Sequence, residues 1–184
     1  MQTLRHSLRN QRHKLLDNHR EAFAQQLLQQ VQQIASFKKG QKIALYLEND
    51  GEISPKHIQN FLKNKKISVY LPILDDKSLK FAKIGDKFKN NKFGISEPIS
   101  TNILSAEQLD IIFIPLVGFD TQKNRLGMGG GFYDRTLAFK KHQEYNANPK
   151  IYGLAFDCQK VDKLNTEPWD VPLDAIITPT IIYK

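Results

Sequence analysis

"DIIFIPLVGFDTQKNRLGMGGGFYDR", residues 110–135, joins the longest continuous apolar run of the chain to a stretch with four glycines in five residues. An apolar run with no polar alternation fits a strand covered on both faces, so Asp110–Phe119 predicts the central strand of a sheet. Tyr133–Gln143 predicts a helix directly after the glycines. Strand, bare turn and helix form an arrangement in which backbone N–H groups converge on an anion and glycine admits close approach. A helix N-terminus stabilises such a charge by about 0.3–1 kcal/mol, and by up to ~2 kcal/mol when partly buried. Two familiar phosphate motifs are excluded. No Lys-Ser or Lys-Thr follows Gly131, as a Walker A loop requires, and counting a dinucleotide fingerprint from Gly127 puts Phe132 where the last glycine belongs. A tight turn without a ligand is the plain alternative. The pattern indicates phosphate and leaves the molecule open.

Outward from this stretch, Lys42–Glu48, Lys66–Leu74, Lys150–Phe156 and Asp174–Tyr183 read as further strands, with Leu79–Ile84 at a sheet edge or in a hairpin. Thr3–Leu16 reads as a helix with Leu4, Leu8 and Leu15 on one side. A second helix, capped by Asn18 with Glu21, carries the stripe Phe23, Leu27, Leu28, Val31 and Ile34. Ser54-Pro55 opens a third through Phe61 and Leu62, and Gly85–Ser100 reads as loop. Strands alternating with helices imply an α/β layered fold with a largely parallel sheet, here a single domain over residues 1–184.

The chain has 184 residues, 40% of them hydrophobic, enough for a core without disulfides, and its lone Cys158 suits a reducing compartment. The N-terminus lacks the apolar segment of a secretory signal, and no run approaches the ~20 apolar residues of a membrane helix. A soluble, cytoplasmic protein without membrane partners is expected. The net charge is +8 and the pI about 9.5, which favours anionic partners. The ten lysines between Lys56 and Lys92 are scattered and lack interleaved aromatics, which fits a solvated surface better than a nucleic-acid footprint. His6, His13, His19, His57 and His142 show no metal-ligand or triad spacing and read as structural or exposed.

Pro115–Arg135, "PLVGFDTQKNRLGMGGGFYDR", resembles the signature of the 5-formyltetrahydrofolate cyclo-ligases, also called methenyltetrahydrofolate synthetases. "RHSLR" (Arg5–Arg9), "YLENDGEIS" (Tyr46–Ser54) and "EPWDVPLDAIIT" (Glu167–Thr178) resemble that family's basic first helix, substrate-binding turn and closing segment, in the same order. Arg5 stands where many members carry lysine, which keeps the charge and changes the hydrogen-bond geometry.

The resemblance implies the layered α/β fold of the NagB/RpiA/CoA-transferase-like group. It also implies conversion of 5-formyltetrahydrofolate, in free or polyglutamylated form, to 5,10-methenyltetrahydrofolate with consumption of Mg-ATP. ATP would be held by Arg5, Arg9, Arg125, Leu126, Gly127, Met128, Gly129, Gly130, Gly131, Phe132 and Tyr133. Folate would meet Leu47, Glu52 and the segment Met128, Gly129, Gly130, Gly131 and Phe132. Asp134 and Asp174 would hold Mg²⁺, and Arg125 and Asp134 would act in catalysis. Plain alternatives exist for several of these. Asp134 also suits a helix first turn, Asp174 a strand-edge surface charge, Glu52 a solvated loop, and Trp169 either ligand packing or the core. Competing readings are a phosphosugar isomerase or acyl-transferase relative without ATP, a basic nucleic-acid module, and an inactive folate-binding homologue.

Overall fold

A computed structural model of the chain describes residues 2–142 and 147–184. Its helices are α1 (Gln2–His13), α2 (Asp17–Ile34), α3 (Lys56–Asn64) and the short α4 (Phe132–Thr136). The strands run β1 (Lys42–Ala44), β2 (Ser68–Asp75), β3 (Ser78–Lys83), β4 (Phe88–Asn90), β5 (Ser96–Pro98) and β6 (Ile103–Leu104). They continue as β7 (Ile111–Pro115), β8 (Gly118–Phe119), β9 (Arg125–Leu126), β10 (Lys150–Leu154), β11 (Ala175–Ile177) and β12 (Ile182–Tyr183). Eight of them form one sheet in the order β12-β11-β10-β7-β1-β2-β3-β6. The inner strands β11, β10, β7, β1 and β2 are parallel, and the flanking β12, β3 and β6 are antiparallel.

The two faces of β7 explain its unbroken apolar sequence. Ile111 and Phe113 pack with Leu27 and Val31 of α2 and Ile58 and Leu62 of α3. Ile112 and Ile114 point the other way, toward Leu137, Val171 and Leu173. A strand covered on both sides has no solvent face to mark with polar residues. The expected α/β sheet is therefore present, with helices on one face and largely irregular chain on the other.

Numbered along the chain, the parallel strands lie in the order 2-1-3-4-5. The chain leaving β1 runs to β2 on one side and the chain leaving β7 runs to β10 on the other, so the β1–β7 boundary opens a crevice beyond the carboxyl ends of these two strands. The chain leaving β1 forms the turn through Asp50 and Glu52, and the chain leaving β7 forms the glycine loop. Helix α1 packs beside the second of these through Leu8, which meets Val117, Leu126 and Leu164. Gly118 permits that approach, since a Cβ there would lie 2.5 Å from Leu8 Cδ1.

Several element boundaries differ from the sequence expectation. The run 110–119 is not one strand: β7 ends at Pro115, which has no N–H to continue the ladder. Gly118–Phe119 then turns into a separate hairpin with Arg125–Leu126. Buried Asp120 ties that hairpin, accepting the N–H groups of Gln122, Asn124 and Leu164 at 2.9–3.1 Å. Residues 174–183 split at Thr178-Pro179 into β11 and the antiparallel β12. The helix expected over 133–143 is α4 followed by a 3₁₀ turn at Ala138–His142, and Gln143 lies outside the described residues. Gly85–Ser100 contains the β4–β5 hairpin, anchored by buried Glu97, which accepts Leu74 N–H at 2.8 Å. Helix α2 begins without a side-chain cap. Asn18 accepts the adjacent His19 N–H, and Glu21 pairs with His57 at 2.8 Å.

Candidate active site at the carboxyl edge of the sheet

A cleft of about 440 Å³ opens between α1 and the glycine loop, lined by Gln2, Arg5, His6, Arg9, Met128 and Gly129. The four-residue spacing puts Arg5 and Arg9 on the same face of α1, and both reach this cleft. Arg5 Nε donates to the Gly127 carbonyl at 2.8 Å and lies against Gly129. Residues 127–130 are exposed, so their backbone is open to a ligand. Gly129 and Gly131 have φ of +98° and +66°, a backbone region that side chains with a Cβ rarely occupy. Met128 is half exposed, and Phe132 is flanked by the Phe93 ring at 5.9 Å and the Arg135 guanidinium at 5.3 Å.

Arg125 is placed differently from Arg5 and Arg9. Its side chain is buried under the loop and donates to the Val171 carbonyl and to Asp134 Oδ1. Burial lowers its pKa, while the negative charges of Asp134 and Asp170 oppose that shift. Arg125 thus orders Asp134, at the start of α4, and the segment carrying Asp170. Asp134 Oδ2 has no hydrogen-bond partner among the described residues.

The expected pairing of Asp134 with Asp174 does not occur. Asp174 precedes β11, which places it at the amino edge of the parallel strands, opposite the edge that carries the glycine loop. There Asp174 accepts Ile151 N–H at 2.8 Å and pairs with Lys150 at 3.0 Å. Asp110, before β7, does the same for Lys42 N–H at 2.7 Å. Each carboxylate covers the first free N–H of a neighbouring parallel strand. Asp170, four residues earlier, is the acid that shares the surroundings of Arg125 with Asp134. Strand direction was the available signal, because an acid immediately before a parallel strand falls on the edge away from the ligand crevice. Among the described residues no three His, Cys, Asp or Glu side chains gather as a ready metal cage.

The turn after β1 supplies the other wall. Glu52 Oε2 accepts Asn49 N–H at 3.2 Å, and burial pushes its carboxyl up to about 7 against the opposing pull of Arg12. Tyr133 links the two walls. Burial and then the charge of Glu52 raise its hydroxyl pKa, while Arg125 acts in the other direction. Leu47 is half-buried against the core on the α2–α3 side. Asp50, in a left-handed conformation (φ 51°), is gripped by Arg9 and by fully buried Arg12, two contacts that the sequence pattern did not reveal. Trp169 is 64% exposed and is not a core residue.

The fold defines an α/β scaffold in which a bare glycine loop and two arginines of α1 line a cleft beside a strand-order switch. The chain belongs to the 5-formyltetrahydrofolate cyclo-ligase family, whose sequence model matches residues 1–179. It is 39% identical over 183 residues to the 5-formyltetrahydrofolate cyclo-ligase of Haemophilus influenzae, covering 96% of each chain. It is 34% identical over 184 residues to the Escherichia coli K12 enzyme of that name, covering 96% of this chain and 99% of that one. Among solved structures it resembles the 5,10-methenyltetrahydrofolate synthetase of Aquifex aeolicus, with a TM-score of 0.83, 25% identity, and coverage of 100% and 91%. The synthetase of Mycoplasma pneumoniae gives a TM-score of 0.76 at 30% identity, covering 97% and 98%. No helix among the described residues is long and apolar enough to cross a membrane.

Proposed function

We propose that this chain closes 5-formyltetrahydrofolate to 5,10-methenyltetrahydrofolate at the expense of ATP, releasing ADP and phosphate. The observation that carries this reading is the crevice itself. The bare loop and two arginines of α1 line it, and one of these, Arg9, binds Asp50 in the turn that carries half-buried Glu52. The chemistry requires both walls. A formamide oxygen is a poor leaving group, so closure by N10 needs that oxygen activated. The formyl oxygen takes the γ-phosphoryl group from ATP, breaking the bond to the β-phosphate oxygen and leaving ADP. The N10 lone pair then attacks the formyl carbon, the N10 proton is lost, and the C–O bond breaks as phosphate departs. Phosphoryl transfer asks the protein mainly for alignment and charge neutralisation.

In this reading the N–H groups from Leu126 to Tyr133, with Arg5 and Arg9, hold the triphosphate. Glu52 meets the N–H donors of the pterin, with Leu47 and Phe132 against its rings. Arg125 acts from beneath the loop by fixing Asp134. The donor set suits Mg²⁺, which takes one or two carboxylates together with phosphate oxygens and water. Asp134 Oδ2 has no partner among the described residues and Asp170 shares the surroundings of Arg125, so these two would hold the ion and Asp174 would not. The ion would neutralise charge on the phosphates. The exposed, lysine-bearing β4–β5 hairpin reaches Phe132 through Phe93, which supports a polyglutamylated substrate with its anionic tail along this rim.

The test is turnover. Purified protein with 5-formyltetrahydrofolate and Mg-ATP should yield the methenyl absorbance and ADP in equal amounts. ADP without methenyl product would assign another phosphoryl acceptor, and neither product from folded protein would remove the reading.

A further inference from the structure

We infer that Asp50 is a positioning residue of the nucleotide site, holding the Arg9 guanidinium toward the cleft. The inference rests on the assignment of that cleft to ATP. Arg9 grips Asp50 with two parallel bonds, Nε to Oδ2 at 2.6 Å and Nη2 to Oδ1 at 2.9 Å. Among the described residues its Nη1 group and the second Nη2 hydrogen have no partner and remain for a phosphate in the cleft that Arg9 lines. Without such a clamp, an arginine at 39% side-chain exposure would sample many rotamers, and ordering them would oppose ligand binding.

The clamp is itself anchored. Arg12, fully buried, donates from Nη2 to Asp50 Oδ2 at 2.7 Å, from Nε to the Asp50 carbonyl at 2.9 Å, and from Nη1 to the Leu116 carbonyl at 3.3 Å. His13 Nε2 lies 3.1 Å from Asp50 Oδ1. One carboxylate thus joins the first helix to the turn after β1. The Leu116 carbonyl extends the link to the chain that leaves β7 for the glycine loop.

Charge alone argues for the opposite effect. Asp50 is an anion beside a site for a polyanion, so neutralising it should tighten nucleotide binding by simple Coulomb reasoning. Positioning and repulsion therefore predict opposite signs for Asp50→Asn. Asparagine keeps the shape and tolerates the left-handed backbone. The turn also retains supports that do not use the carboxylate: Arg12 on the Asp50 carbonyl, and Arg20 on the Gly51 carbonyl at 3.0 Å.

The experiment is a double-mutant cycle on Mg-ATP affinity with wild type, Asp50→Asn, Arg9→Ala and the double variant, alongside KM for 5-formyltetrahydrofolate. The expected result is about 10-fold weaker ATP binding in Asp50→Asn, with folate KM within about twofold and no further loss when the change is added to Arg9→Ala. Asp50→Glu, which keeps the carboxylate, should recover part of the loss, and it serves as the reporter if Asp50→Asn folds poorly. Unchanged or tighter ATP binding in Asp50→Asn, where Arg9→Ala weakens it, overturns the positioning role alone. Equal, additive losses in both backgrounds overturn it as well, since Asp50 would then act without Arg9. Wild-type protein that binds no Mg-ATP removes the nucleotide assignment and this inference with it, whereas Arg9→Ala that binds it normally removes this inference alone.

Discussion

The two edges of one sheet use the same residue types to different ends. At the amino edge, Asp110 and Asp174 spend their carboxylates on the N–H groups of Lys42 and Ile151, and Lys150 neutralises the second. At the carboxyl edge the polar groups keep unused capacity. Arg5 and Arg9 face open cleft, one oxygen of Asp134 is unpartnered among the described residues, and Glu52 is held near neutrality by burial. Saturated charges stabilise a fold, while charges with spare bonds and shifted proton affinity can do chemistry. Because parallel strands place the ligand crevice at their carboxyl ends, an acid's position along a strand decides which kind it becomes.

The comparison breaks most severely if the bare loop tolerates a side chain. Gly129→Val forces a branched residue into φ near +98° and fills the approach to the backbone. Strain of about 1–3 kcal/mol together with lost phosphate contacts should weaken ATP binding roughly 100-fold, read by titration. Unchanged affinity would detach the loop from the nucleotide.

A smaller effect, about 10-fold, is expected for Glu52→Gln, on folate KM and not on ATP KM, since a neutral amide keeps part of the hydrogen bonding. Steady-state kinetics with the reverse pattern would reassign the turn. The same variant sharpens the electrostatic side. The folded carboxyl titrates at about 7 and the unfolded one at its ordinary 4.5. The native state thus binds the extra proton between those values. The Glu52 contribution is most favourable below about pH 4.5 and is lost as pH rises toward 7. Denaturant midpoints followed across that window should fall less steeply in Glu52→Gln than in wild type.

The smallest effect on turnover belongs to the amino edge. Asp174→Asn should leave kcat/KM within about threefold. It should lower Tm by a few degrees, because a charge-assisted bond worth about 1–3 kcal/mol shifts a chain of this size by ~2–4 °C per kcal/mol. Thermal unfolding and initial rates on one preparation separate the two.

Much of this was legible in the residues. The run from Ile111 to Pro115 reads as a doubly covered strand because both alternating positions are apolar. The glycines read as an anion turn because no ordinary core element would choose them. The Arg5–Arg9 face follows from helical spacing alone. What stayed hidden depends on contacts between distant segments. Arg12 looks like any basic helix residue until the turn at Asp50 closes over it. The two aspartates of "WDVPLD" are indistinguishable until the start and direction of β11 send Asp174 to one edge and leave Asp170 by Arg125. Trp169 reads as core by type, yet the segment carrying it is fixed by polar bonds at Pro168 and Val171 and leaves the ring outside.

The measurement that goes straight to this division is the Mg²⁺ dependence of turnover in Asp170→Asn and Asp174→Asn, determined side by side. A metal site at the carboxyl edge predicts that Asp170→Asn needs at least about 10-fold more Mg²⁺ for half-maximal rate, while Asp174→Asn follows the wild-type curve. A shifted curve for Asp174→Asn with a normal one for Asp170→Asn would contradict it.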